Sequence, residues 1–147
     1  MPEAKQCVFC EIIAGRLEAA VVFDDDDFVA FLDRRPVFLG HVLVVPRRHV
    51  VTLPELPEEL VGPLFSRVKL MSAAVPVALG MEGTFVALNN VVSQSVPHLH
   101  VHVVPRRKDD GLKGFFWPRT RYESEAQLEE FRSRLASAIS GQSPKGA

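Results

Sequence analysis

The run His98-Leu-His100-Val-His102-Val-Val104 alternates imidazole with aliphatic side chains, and Pro105 closes it. A period of two is the mark of an extended strand, because successive side chains leave a strand on opposite faces. Such a strand sends Leu99, Val101 and Val103 into a core and lines three histidines along the other face. The segment therefore calls for a sheet with one packed face and one working face. Two other uses of the pattern are a decorated edge strand and a three-histidine zinc centre. The zinc centre is the harder to build, since Cα atoms two apart on a strand lie about 6 to 7 Å apart and all three rings must converge on one ion.

The rest of the chain supplies partners for that strand. Val8 to Ile13 reads as a brief helix, and Ala19–Phe23, Phe28–Leu32, Val42–Val45 and Thr84–Leu88 as short strands, with Leu99–Val104 the most strand-like piece. Between Leu56 and Leu79 the period lengthens: Leu60, Leu64, Val68, Met71 and Val75 recur at steps of four or three, so one helical face covers the sheet. Gly62-Pro63 inside this helix predicts a restart or kink. Ser124 with Gln127 forms a capping box, and Leu128, Phe131, Leu135 and Ile139 give a final helix its apolar face. Consecutive short strands with covering helices make an α+β domain with an antiparallel sheet.

A chain of 147 residues, 47% hydrophobic and 24% charged, suits one globular domain over residues 1–147. No apolar run approaches the roughly 18 to 20 residues of a membrane span, and Met1 to Gln6 lacks an apolar leader core, so a cytoplasmic protein with no membrane partner is expected. A net charge of -1 argues against broad nucleic-acid capture. Arg34, Arg35, Arg47, Arg48, Arg106, Arg107 and Lys108 nevertheless cluster at strand ends, where a small polyanion is a suitable ligand. Cys7 and Cys10 form a CxxC pair, consistent with a metal half-site, a redox pair or two unrelated thiols.

Neutral imidazole exists at physiological pH and is a competent nucleophile toward phosphorus. One ring nitrogen attacks while the other needs a partner that holds the tautomer. His100 is the central histidine, and His102 beside it is suited to phosphoryl oxygens or a leaving group. At this point a resemblance enters. Gln94-Ser-Val-Pro-His98-Leu-His100-Val-His102-Val-Val104-Pro-Arg106 resembles the signature of the histidine-triad (HIT) family. Cys7-Val-Phe-Cys-Glu-Ile-Ile13, Phe31-Leu-Asp33 and Gly40-His-Val-Leu-Val-Val-Pro46 followed by His49 resemble its N-terminal half in the same order. The likeness spans about residues 7–106 and leaves outside it an aromatic loop and C-terminal helix over 111–140.

The resemblance implies a HIT-like fold, with a five-stranded antiparallel sheet, a long central helix and a C-terminal helix. It further implies a nucleotide phosphoanhydride or phosphoramidate hydrolase for adenine (purine) mononucleotides or dinucleotides, including diadenosine polyphosphates. His100 would form a covalent nucleotidyl-histidine, with His102 and Gln94 completing the catalytic set. Asp33 would accept from the ribose, Phe9, Ile12, Leu32 and Leu43 would hold the base, and Asn89, or its neighbour Asn90, with Ser95 would complete the phosphate side. The segment Asn89-Asn-Val-Val-Ser93 is shorter than in many relatives and lacks their glycines.

Cys7, Cys10, His49 and His98 offer two sulfur and two nitrogen ligands, a set suited to tetrahedral structural zinc, and bacterial relatives support the same set. No organic cofactor is expected. A homodimer is implied as well. His41 is suited to a supporting place behind the catalytic strand, and Phe115, Phe116 and Trp117 to completing a partner's active site, docking on their own subunit or binding the second base of a dinucleotide. Nucleotidyl transfer to another acceptor and non-catalytic purine-nucleotide binding are the alternative functions.

Overall fold

The structure, a computed structural model, describes residues 7–113 and 119–142, and the chain divides into two compact units, residues 1–110 and 111–147. In the first unit a short helix α1 (Val8–Ile13) precedes strands β1 (Val21–Asp24), β2 (Phe28–Leu32) and β3 (Val42–Pro46). A 3-10 turn (Leu53–Glu55) leads into the long helix α2 (Glu58–Leu79), and β4 (Gly83–Ala87) and β5 (Val101–Arg106) follow. All neighbours pair antiparallel in the order β1-β2-β3-β5-β4, so the last strand enters the sheet between β3 and β4. The second unit contributes the C-terminal helix α3 (Glu125–Gly141), which completes the five-strand, long-helix, C-terminal-helix architecture expected for a HIT-like fold.

The period of two sorts side chains into two cores, one on each face of the sheet. Phe28, Ala30, Val42, Val44, Leu99, Val101 and Val103 meet Leu64, Val68, Met71 and Val75 of α2. Val29, Phe31, Leu43 and Val45 turn the other way and meet Cys7 and Phe9 at the start of α1. Burying a Phe, Leu or Val side chain stabilises by roughly 1.5 to 3 kcal/mol, so both layers are tied to the sheet. Although α2 is long and apolar enough by composition to cross a bilayer, its Leu64, Val68, Met71 and Val75 are buried in the first core.

Two local expectations change. No break occurs at Gly62-Pro63: α2 runs unbroken through Pro63 and Pro76 until Gly80, in the left-handed conformation at φ 64°, ends it. Pro63 lies near the helix start, and the continuous apolar face on the sheet outweighs the hydrogen bond it removes. The second change concerns the histidine strand, since β5 begins at Val101 and only His102 of the three histidines lies in the ladder, opposite Leu43 and Ala87. His98 to His100 form an irregular approach, pinned where Leu99 N–H donates to the Val50 carbonyl at 2.7 Å. Leu99 still enters the α2-side core.

Turn chemistry sets the strand ends. Asp25 Oδ1 accepts from the N–H groups of Asp27 and Phe28 at 3.0 and 2.8 Å, and its Oδ2 accepts from Arg67 Nε at 2.9 Å, which ties the acidic β1–β2 turn to α2. In the second unit, Ser124 caps α3 by accepting from Gln127 N–H at 3.1 Å. The Gln127 side chain accepts in return from Glu123 N–H at 2.7 Å, one residue before the cap. Phe115, Phe116 and Trp117 lie outside the described residues.

Gly40 sits at φ 95°, and a Cβ there would overlap the tip of Leu79. Gly40→Ala is expected to destabilise the protein by about 2 kcal/mol, from left-handed backbone strain and displacement of Leu79. Urea denaturation checks it, and an unchanged midpoint would contradict this account of the turn.

Candidate active site and metal centre

Each histidine near the start of β5 has its proton placed by a fixed neighbour. His98 is fully buried, and its Nε2 donates to the Pro46 carbonyl at 2.8 Å, so Nδ1 carries the lone pair. His100 Nδ1 donates to the main-chain oxygen of His98 at 2.7 Å, which leaves Nε2 as the unprotonated nitrogen. The third assignment runs through His41, which is also buried. Val37 N–H donates to His41 Nδ1 at 3.1 Å, so the proton of His41 is on Nε2, and this nitrogen donates to His102 Nδ1 at 2.9 Å. His102 thus presents an Nε2–H. One lone pair and one donor stand side by side on rings whose centroids are 5.0 Å apart.

Burial dominates the electrostatics. It pushes His102 down to about 4, helped by the neighbouring His100 and His41 rings and opposed by Asp33. Burial lowers His41 as well, against the Asp33 carboxylate, whose Oδ2 is 3.8 Å from His41 Nδ1. Both rings are neutral at pH 7.

A cleft of about 660 Å³ opens over these rings. Phe9, Ile12, Leu32, Asp33, Leu43, Ser95, His100 and His102 all line it. Phe9 stands edge-on to His100 at 5.1 Å and to Phe31 at 5.3 Å, so α1 supplies the aromatic wall. Gln94 and Asn89 are engaged elsewhere. Gln94 Oε1 accepts from Val91 N–H at 3.0 Å, and its Nε2 donates to the Val51 carbonyl at 2.6 Å. Asn89 Nδ2 donates to the Ser93 carbonyl at 3.1 Å, while Asn90 Oδ1 accepts from Leu53 N–H at 2.9 Å. These amides hold a loop in which Val91 and Ser93 adopt φ 70° and 61°, taking without glycine the conformation that glycine makes easy.

Sequence reasoning passed over Phe31, Arg16 and Glu18 as cleft residues, and placed Arg34 only among the basic residues at strand ends. The face alternation of β2 carries the signal for Phe31. Nothing local distinguishes Arg16 and Glu18 from solvated charge.

Behind the cleft, Cys7, Cys10, His49 and His98 converge, with one ligand atom from each within 4.8 Å of all the others. His98 Nδ1 lies 3.4 Å from Cys7 Sγ, 3.6 Å from Cys10 Sγ and 3.2 Å from His49 Nδ1, and Cys10 Sγ lies 3.3 Å from His49 Nδ1. Tetrahedral zinc at ordinary bond lengths separates sulfur from nitrogen by about 3.5 Å and nitrogen from nitrogen by about 3.3 Å. The four donors fit that ion in type, number and spacing. Burial pushes the Cys10 thiol up to about 11, reinforced by its hydrogen bond to Cys7, while burial pushes His98 down to about 4 against the Pro46 hydrogen bond. A second trio, Asp33, His41 and His102, also lies within 4.8 Å; there His41 and His102 are joined by their own hydrogen bond, and Asp33 Oδ1 accepts from Arg35 N–H at 2.9 Å.

Residues 14–109 match the HIT domain family. The chain is 36% identical over 108 residues to adenylylsulfatase HINT3 of Arabidopsis thaliana, which covers 72% of this chain and 55% of that protein. It is 31% identical over 134 residues to adenosine 5'-monophosphoramidase hnt1 of Schizosaccharomyces pombe, 88% of this chain and 98% of the relative. A zinc-bound histidine triad family protein from Mycobacterium smegmatis superposes with a TM-score of 0.71 at 33% identity, covering 94% of this chain and 99% of that one.

The depressed His102 has a consequence for stability. Its folded value of about 4 lies below its ordinary 6.5, so between these values the unfolded chain binds the extra proton. Its contribution is complete above pH 6.5 and is lost as the pH falls toward 4. His102→Gln is expected to flatten the fall in unfolding free energy over that window. An unaltered slope would show that His102 does not titrate as its burial requires.

Proposed function

Because the chain belongs to the HIT domain family, we propose that it is a hydrolase cleaving a phosphoanhydride or phosphoramidate bond at the α-phosphorus of a purine nucleotide. The observation that carries this reading is the hydrogen bond from His100 Nδ1 to the His98 carbonyl at 2.7 Å, which keeps a nucleophilic lone pair on Nε2 at the cleft. In this reading His100 Nε2 bonds to phosphorus as the bond to the leaving group breaks. The leaving group departs with the bonding pair. His102 donates its Nε2–H to a phosphoryl oxygen, where negative charge builds. Water then attacks phosphorus, the nitrogen–phosphorus bond breaks, and the proton released from water balances the one taken up by the leaving group.

Asp33 takes a ribose hydroxyl, Ser95 a phosphoryl oxygen, and the base enters between Phe9, Ile12, Leu32 and Leu43. Gln94 and Asn89 serve by shaping the loop that presents Ser95. The activities named for the Arabidopsis and fission-yeast relatives make adenylyl sulfate and adenosine 5'-phosphoramidate the first substrates to try. His100→Ala is expected to lower turnover of both by at least about a thousandfold while leaving AMP binding detectable. Turnover within tenfold of wild type would remove His100 from the chemistry, and binding without turnover in the wild type would favour a nucleotide-binding protein.

We also propose structural zinc at Cys7, Cys10, His49 and His98, supported by the donor spacing and by the zinc-bound relative. Four protein ligands leave no open position for water, so the ion would supply a rigid cross-link. Through the His98 carbonyl that cross-link reaches the nucleophile. Cys10→Ser is expected to reduce bound zinc well below one per chain and to lower the melting temperature. Full zinc occupancy in the variant would refute the ligand assignment.

A further inference from the structure

His41 meets His102 without lining the cleft itself, and it is only 3% exposed. Its backbone is pinned on both sides: His41 N–H donates to the Phe38 carbonyl at 3.1 Å, and its carbonyl accepts from Asp33 N–H at 2.9 Å. Leu43 stands opposite His102 in the β3–β5 ladder, and His41 lies two residues before it on the same face. The sheet thus brings the two rings together, 5.1 Å apart at their centroids. Two groups compete for His41 Nδ1. Val37 N–H lies 3.1 Å away and requires a lone pair there, whereas Asp33 Oδ2 lies 3.8 Å away and would call for a proton. The Asp33 distance is beyond a hydrogen bond, and that carboxylate is already held by Arg35 N–H on Oδ1 at 2.9 Å, so the main chain wins.

A neutral imidazole has one donor and one acceptor, so a lone pair on Nδ1 puts the proton of His41 on Nε2, 2.9 Å from His102 Nδ1. Burial lowers both rings, which keeps each to a single proton near neutral pH. Resting on the nucleotide-hydrolase reading above, we infer that His41 is a positioning residue: it relays the direction of the Val37 N–H to His102 and holds that ring in the tautomer whose Nε2–H meets the phosphoryl oxygens. The opposite order, with His102 Nδ1 donating to His41 Nε2, would turn a lone pair toward a phosphoryl oxygen and set one N–H against another at Val37. A backbone N–H can only donate, so the order is fixed at its source. The turn before β3 thereby sets a donor on β5 through one intervening ring.

Long-range proton–nitrogen NMR of the isotope-labelled intact protein at neutral pH reads the tautomer directly, and is expected to show His102 protonated on Nε2 and bare on Nδ1. A proton on Nδ1 instead overturns the inference without recourse to any variant. Kinetics with adenosine 5'-phosphoramidate gives the second readout. Loss of one positioned donor to developing charge costs about a hundredfold, so His41→Leu is expected to lower kcat by about that factor with KM within about threefold of wild type. His41→Gln returns an N–H donor at the position of Nε2 and is expected to recover kcat to within about tenfold of wild type. The His102 signals should follow, with mixed tautomers in His41→Leu and Nε2–H restored in His41→Gln. An undiminished kcat in His41→Leu overturns the positioning role. So does a loss that His41→Gln leaves unrelieved while the His102 tautomer is unchanged in both variants, since His41 would then serve the fold alone. If the wild type turns over no purine nucleotide, the hydrolase reading fails and this role falls with it, even where the His102 proton is on Nε2.

Discussion

The buried hydrogen bond from His98 Nε2 to the carbonyl of Pro46 locks the approach to β5 onto the end of β3, beside the strand pairing and the Leu99-to-Val50 hydrogen bond that bring the two segments together. It fixes the ring of His98 against the end of β3, so that Nδ1 faces two sulfur atoms delivered by α1 and the nitrogen of His49. The same residue's main-chain oxygen holds the ring of His100. One buried position therefore sets both the thiol–imidazole cluster and the orientation of the neighbouring imidazole. A change at His98 propagates in two directions, because an unsatisfied buried polar group costs about 1 to 3 kcal/mol and its neighbours lose their reference point.

The sheet makes this economical. Its α2 face is a conventional apolar core, rigid because Leu64, Val68, Met71 and Val75 fill it. The opposite face is divided between a smaller apolar layer and the cleft, and Phe9 belongs to both, packing on Phe31 while standing edge-on to His98 and His100. Stability and chemistry meet in that side chain. Charge is handled differently on this side: burial lowers His41 and His102, so these two imidazoles act through the position of their hydrogens.

Much of this was legible in the residue order. The four-and-three spacing from Leu60 to Val75 and the Ser124 cap are local patterns set by backbone geometry and each corresponds to an observed element, whereas the alternation from His98 to Val104 becomes a strand only from Val101 onward. The insertion of β5 between β3 and β4 is not written locally, since hydrogen-bond pairing across the sheet depends on contacts far apart in sequence. The meeting of Cys7 with His98, 91 positions away, was accessible through likeness to a family and not through spacing. Gly62-Pro63 misled for a physical reason: a proline near a helix start costs little when the following turns are anchored. The contact of Arg34 with the Glu18 main chain is likewise not written locally, since it forms where β1–β2 pairing brings their segments together.

The loop before the histidines has a consequence of its own. Val91 and Ser93 hold a backbone conformation that non-glycine residues resist by roughly 1 to 2 kcal/mol each, and a β-branched valine resists it most. Chain preference does not keep the loop in shape; the amides of Asn89, Asn90 and Gln94 do. The segment behaves as a bent spring held by three catches. Removing one catch lets the backbone relax toward β or α geometry and carries Ser95 with it. A side chain can thus shape a cleft it does not line, and the amide of Gln94 has its leverage in the curvature it maintains.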